Sequence, residues 1–417
     1  MSLLDLDKQH GTLSDAEYQR LKQSIAEKAQ YRDRIRGCLI GGAVGDALGW
    51  PVEFRGERQI FNKYWPDGIK EYDLNGAGVA EITDDTQMAL FTANGILYGE
   101  TRWKLRGIAG PPRNYVAKAY QDWLATQEPS KRPGGISWLY DVRELHETRA
   151  PGGTCLRALR EQNEAPGMIN DYVKAELNNS KGCGGIMRVA PMGLRDWKDI
   201  KALDYEGAQL AAITHGHSLG YMPAAVLVHI INRIVYPNGS EISLKAIIIE
   251  ARDTVAEIFS GDPYLPKLCG IIDQAVDLAE HSDTSDLENI HRLGEGWVAE
   301  ETLGISLYCA LKYRGDFSKG VIASVNHKGD SDSTGAVTGN ILGALVGYEA
   351  IEEKWKEKLE LKEVILEMSD DLCYGCLMDE YGHYRDPDWM RKYVQSHWKD
   401  SEDRPNASRA DGHLIDI

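Results

Sequence analysis

Two runs of glycine, each spaced four residues apart, constrain this chain more than any other feature. Gly37, Gly41, Gly45 and Gly49 form the first, and Gly335, Gly339, Gly343 and Gly347 the second. A spacing of four keeps successive residues on one helical face. Each glycine inside a helix costs up to about 1 kcal/mol against alanine. Four on one face therefore need compensation, and close approach of two helix backbones along that face supplies it. The ladders predict a pair of tightly packed buried helices. If the two pack on each other, Asp46 at the end of one lies near Asp330 and Asp332 at the start of the other. A membrane-type glycine pair fits less well, because Asn340, Glu349, Asp330 and Asp332 lie in or beside the second run.

The rest of the pattern is also helical. Apolar periodicity marks Tyr221 to Tyr236, Leu244 to Phe259, Ala299 to Tyr313 and Ser333 to Ile351. Alternation of period two is confined to a short ambiguous stretch near Ile69 to Leu74. The expected fold class is all-α, with one large domain over residues 31–400 and a polar tail at 401–417. Residues 1–30 form an arm ahead of it. Leu3-Leu4-Asp5-Leu6 comes first, and Ser14 and Glu17, at capping-box spacing, then open a polar helix to about Ala29.

Charge narrows the partners. With 47 Lys+Arg against 64 Asp+Glu, the net charge of −17 disfavours nucleic acid and anionic membranes. The seven cysteines are scattered, and Asp5 and Asp7 sit where a signal peptide needs a basic end. No stretch offers eighteen clean apolar residues. These features lead us to expect a cytoplasmic chain with reduced thiols.

The acids are clustered. Thr83-Asp84-Asp85-Thr86 precedes the helical stretch Gln87 to Leu97, and Asp330-Ser331-Asp332-Ser333-Thr334 precedes another. Helix capping explains one side chain in each. Two clusters of paired acids flanked by hydroxyls exceed that need, and carboxylates brought together repel unless cations separate them. Ligands made only of oxygen suit Mg²⁺ or Mn²⁺ over Zn²⁺. Between these clusters lies Asn179-Ser180-Lys181-Gly182-Cys183-Gly184-Gly185, a loop whose N–H groups, with Lys181, suit an anion. Cys183 as nucleophile with His215 as base is a further option that no spacing demands. Cys373 and Cys376 form a lone C-x-x-C near His383, short of a fourth zinc ligand.

Taken in order, Gly45-Asp46-Ala47-Leu48-Gly49 with Glu53, Thr83-Asp84-Asp85-Thr86, the Ser180 to Pro191 loop, Thr214-His215 and Gly329-Asp330-Ser331-Asp332-Ser333 form a specific set. The set resembles the ADP-ribosylglycohydrolase family, of the dinitrogenase-reductase-activating type, over roughly residues 32–350. The resemblance implies a compact orthogonal multi-helix domain and a centre of two Mg²⁺ (or Mn²⁺). It also implies hydrolysis of the bond between ADP-ribose and a mono-ADP-ribosylated protein side chain, arginine favoured. By this resemblance Thr83, Asp84 and Asp85 would hold metal from one side and Asp330, Asp332 and Ser333 from the other. Asp332 would bridge and share catalysis with Glu53, the acid/base. Asp46, Ser180, Gly182, Cys183, Gly184 and His215 would touch the substrate. Many relatives carry an aromatic residue and an asparagine where this chain has Lys181 and Cys183, so no adenine-stacking residue is assigned. A second reading is an immunity protein whose arm, residues 1–30, binds and blocks an ADP-ribosyltransferase toxin. A third is another dinuclear-metal hydrolase built on the same acids.

Overall fold

The computed structural model describes residues 3–237 and 243–395. Among them are twenty α-helices, three short 3-10 turns and no strand, only two isolated β-bridges. The polar tail expected at 401–417 lies outside the described residues.

The two ladder helices, Arg32–Gly49 and Ser331–Val346, run antiparallel through the centre. A Cβ at Gly41 would fall on the carbonyl of Gly339, one at Gly45 on that of Gly335, and one at Gly37 on that of Gly343. The reciprocal positions clash in the same way. Backbone rests on backbone, which is the compensation that four interior glycines require. Asn340 Nδ2 donates to the Cys38 carbonyl at 2.8 Å and ties the pair laterally. The second helix stops five residues short of the expected Ile351. Gly347 takes φ +84 there, and the Tyr348 N–H turns away to the Asp33 carbonyl at 2.9 Å.

Around this pair the remaining helices complete the core. Leu244–Ile258 and Ala299–Lys312 lie within a residue or two of expectation. The stretch at Gln87 is longer than expected, running Asp84–Arg106 to a left-handed Gly107. Pro112–Gln127, Ile200–Ala212 and Leu265–His281 complete the main body. Among the described residues one helix, Ser218–Val235, is long and apolar enough to cross a membrane by length and composition, contrary to the reading of the sequence. It is 89% buried inside the protein and carries His229, Asn232 and Arg233.

The Ile69 to Leu74 stretch is not a strand. Asn326 accepts from the Ile69 N–H and donates to its carbonyl, both at 2.8 Å, so a side-chain amide takes the place of a neighbouring strand. The arm forms two helices, Leu3–Gln9 and Asp15–Ala29. Ser14 caps the second, but the capping box is only half made: Glu17 Oε1 accepts instead from His383 N at 2.7 Å and Tyr384 N at 3.2 Å. Leu4, Leu13 and Leu21 are buried against the core.

Candidate active site

The glycine contact sets the site. Where the ladders end, a Cβ at Gly49 would strike Ser331 and Asp332, so the exit of one helix meets the entrance of the other. The chain then makes one turn, the Glu53 N–H bonding to the Gly49 carbonyl at 3.0 Å, and Glu53 returns over Asp330 and Asp332. Oxygen atoms of these three carboxyl groups all lie within 4.8 Å of one another.

Asp46 takes a different place from the substrate-contacting one expected. It is fully buried, and its oxygens accept from Thr83 N at 3.1 and 3.0 Å, Thr83 Oγ1 at 2.8 Å, Thr86 N at 3.1 Å and Thr86 Oγ1 at 2.5 Å. Those five contacts saturate it. Asp46 is the anchor that fastens the Thr83–Thr86 segment to the first ladder helix. Thr83 then caps the Asp84–Arg106 helix, whose first two acids lie near enough to feel the charge of Asp332. Asp84 Oδ2 accepts from Gly152 N at 3.0 Å, whereas Asp85 Oδ2 is buried with no hydrogen-bond partner, as is Glu53 Oε2.

On the far side Asp330 caps its helix through Ser333 N at 3.2 Å, and Asp332 accepts from the same N–H at 2.9 Å. The Cys183 thiol donates to Asp330 Oδ2 at 2.7 Å, which brings the glycine loop against the acids. Among the described residues no lysine or arginine pairs with Glu53, Asp84, Asp85, Asp330 or Asp332. Burial first, and then the charges of Asp332 and Asp330, push Glu53 up to about 11. Asp85 and Asp332 are likewise held well above the carboxylate range by burial and then by neighbouring acids, and Asp84 chiefly by burial. Five clustered acids with two orphaned buried oxygens are unfavourable unless protons or cations sit among them. Oxygen donors of this kind fit Mg²⁺ or Mn²⁺.

The glycine loop differs from its expected form in three respects. Lys181 Nζ bonds Glu300 at 2.5 Å and shares that acid with Lys267, so its ammonium is engaged within the protein. The Cys183 N–H is committed to the Trp297 carbonyl at 3.2 Å. The thiol itself is held well above its usual range by burial and then by Asp330, and it faces that acid and not His215, so the nucleophile option falls. Ser180 Oγ accepts from Gly182 N at 3.4 Å and shapes the loop from within. His215 is buried beside Gly182 and Gly184. The C-x-x-C thiols bond the carbonyls of Lys28 and Met378, and His383 lies against Glu17, so they form no metal site.

Three features were not foreseen. Arg188 is fully buried behind the loop. Phe54, next to Glu53, adopts φ +58 and stacks on Trp297 at 5.4 Å between ring centroids. The Gly152 N–H holds Asp84 from a separate segment. Arg188 belongs to the Ser180 to Pro191 stretch, but nothing in a lone arginine signals burial.

Comparison with known proteins decides the family. The ADP-ribosylglycohydrolase family matches residues 27–382. The chain belongs to the ADP-ribosylglycohydrolase family. It is 25% identical over 339 residues to the ADP-ribosyl-[dinitrogen reductase] glycohydrolase of Rhodospirillum rubrum, covering 79% of this chain and 91% of that protein. ADP-ribosylhydrolase ARH3 of Homo sapiens is 26% identical over 371 residues, covering 80% and 90%. An ADP-ribosylglycohydrolase-related protein complex shares the fold at a TM-score of 0.56 and 24% identity, covering 83% of this chain and 98% of that one. The family supports ADP-ribosyl hydrolase activity for this chain, and its acidic cluster suits the metal dependence general to the family.

Proposed function

We propose that this chain is a hydrolase that removes ADP-ribose from a modified protein side chain, arginine first among the acceptors, with two Mg²⁺ or Mn²⁺ held by the acidic cluster. The observation that carries the reading is the unpaired carboxylate set abutting the glycine loop through the Cys183–Asp330 contact at 2.7 Å. It joins a cation site to an anion site, as a sugar linked to a diphosphate requires.

Asp84, Asp85, Asp330 and Asp332 would hold the ions, with the hydroxyls of Thr83 and Ser333 beside them. Bound there, the ions supply Lewis acidity toward the ribose hydroxyls and the attacking water. The protein's own part is to place and move protons. Hydrolysis forms a bond from water oxygen to C1″ and breaks the bond from C1″ to the guanidine nitrogen. One water proton must leave and the departing nitrogen must gain one. Glu53 is the carboxyl that sits over the cluster with a buried, unpartnered oxygen, and it serves as that acid/base. Ser180, Gly182, Gly184 and His215 receive the diphosphate end.

The test is release of ADP-ribose from an arginine-ADP-ribosylated protein with Mg²⁺, with chelator, and with Asp332→Ala. Metal-dependent release that the variant loses is the expected result. No release from arginine, serine or small-molecule ADP-ribosides by metal-loaded protein would overturn the reading. It would turn attention to toxin binding by residues 1–30.

A further inference from the structure

His215 presents a problem of hydrogen-bond bookkeeping whose solution fixes its chemistry. Its ring is 2% exposed, and its Nδ1 lies 2.8 Å from Thr214 Oγ1. That hydroxyl already accepts from Arg188 Nη2 at 2.6 Å. A guanidinium only donates, so the Thr214 oxygen is an acceptor toward Arg188 and has its own hydrogen left to give. The acceptors within reach are His215 Nδ1 and the Cys155 sulfur. Sulfur is the weaker, and Cys155 Sγ already takes Arg188 Nη1 at 3.4 Å. The hydroxyl hydrogen therefore goes to the imidazole. A neutral ring that accepts at Nδ1 carries its hydrogen on Nε2.

Nε2 has no hydrogen-bond partner among the described residues. It points into the space that side chains at Gly182 and Gly184 would fill: a Cβ at those positions would stand 3.3 and 3.4 Å from it. The ring is buried but Nε2 opens onto that space, so its N–H is a donor of fixed direction available to an acceptor on a bound ligand. Arg188 is itself unusual. It is fully buried, has no acidic partner among the described residues, and rests 4.4 Å over the Tyr120 ring.

We propose that Arg188 and Thr214 are positioning residues that lock His215 in its Nε2–H form, so that a neutral imidazole donates a hydrogen bond to the diphosphate lying along the glycine loop. The ligand half of this proposal rests on the reading of the chain as an ADP-ribosyl hydrolase. Burial, and then the Arg188 charge, hold the ring down to about 3, so it stays neutral. His215 is accordingly a donor of fixed direction and not a base. The relay explains why a buried cation stands behind an anion site without touching it: its charge orients the hydroxyl that orients the ring.

The tautomer is read by two-bond ¹H–¹⁵N correlation spectra of ¹⁵N-histidine protein, the His215 signals being assigned by their loss in His215→Gln. Wild type and Thr214→Ser should show Nε2–H, whereas Thr214→Val should show a population of Nδ1–H. Calorimetry should find ADP-ribose binding weaker on the order of tenfold in Thr214→Val, restored in Thr214→Ser, with Mn²⁺ affinity unchanged in both. An Nδ1–H ring in wild type would overturn the relay. So would a Thr214→Val protein that binds ADP-ribose as wild type does. Wild type with Nε2–H that binds no ADP-ribose would overturn the diphosphate half and, with it, the parent reading, while leaving the tautomer assignment standing.

Discussion

Replacing Gly45 by alanine isolates what the ladders contribute. Its Cβ would lie inside the van der Waals envelope of the Gly335 carbonyl carbon and oxygen, both backbone atoms that no rotamer change can move. The helices must separate along their whole seam, and overpacking of this kind costs about 1–3 kcal/mol, occasionally more. Alanine returns at most about 1 kcal/mol of helix propensity. A rigid backbone neighbour places the cost at the upper end, so a net loss of roughly 2 kcal/mol follows from these two terms. Gly270 supplies the control. It lies inside the Leu265–His281 helix, is exposed, and a Cβ there would meet nothing within 4 Å. The same substitution should therefore stabilise by up to about 1 kcal/mol. Urea unfolding followed by far-UV circular dichroism, at equal slope, measures both. Gly45→Ala also wedges apart Asp46 and Asp332, so turnover should fall further than stability at assay temperature requires. If both variants shifted the midpoint in the same direction, backbone contact along the seam would not be what the glycines provide.

Other expectations concern the acids, the thiol and the arm. The clustered carboxyls have raised pKa values in the fold, about 7 for Asp46 and about 11 for Glu53. The folded chain then holds more protons than the unfolded one, and chelator-treated protein should lose stability as pH rises from about 4 through these values. Mn²⁺ replaces those protons, so its thermal-shift gain over EDTA should be larger at pH 8 than at pH 5, and a reversed order would refute the linkage. Cys183→Ala removes the donor to Asp330 and should weaken Mn²⁺ binding by about tenfold, the low end for outer-shell changes, while Cys183→Ser retains it; calorimetry with Mn²⁺ separates them. Leu21→Ala, in the arm helix and 4% exposed, should cost about 2–4 kcal/mol in urea titration. A negligible cost would mean the arm does not pack in solution as it does here. Glu53→Gln should bind Mn²⁺ and ADP-ribose yet release product at least about a hundredfold more slowly in single turnover, and unchanged turnover would remove its acid/base role.

Much of this architecture was legible because glycine and aspartate carry positional meaning. The ladders declared a backbone contact, and the contact in turn brought Asp46, Glu53, Asp330 and Asp332 to one place. The roles within that place were harder to read. Asp46 and Asp332 look alike as letters, but one is saturated by Thr83 and Thr86 and the other faces the cluster; only the three-dimensional donor count separates them. Lys181 beside three glycines reads as a phosphate ligand until Glu300, 119 residues away, is seen to hold it. Ile69 to Leu74 alternates like a strand, yet its partner is the single side chain of Asn326. In each case the deciding contact is remote in sequence, and local spacing carries no information about it.

The scaffold and the site also explain each other. Carboxylates packed without counter-charge repel, and any flexible support would let them drift apart. Side chains that interdigitate between two helices have rotamers through which such strain can relax. Glycine faces have none, so the seam between the ladders yields only by moving whole helices. Mutual contact at Gly45 and Gly49 therefore fixes where Asp46 and Asp332 stand, and Asp46 in turn fixes Thr83 and the acids that follow. The same economy appears behind the glycine loop, where Arg188 acts through a hydroxyl and not by direct contact. At both ends of the site, groups set back from it hold in place those that face it. Substitutions at Gly45, Asp46, Arg188 and Thr214 should thus impair the site although these residues stand behind those facing it.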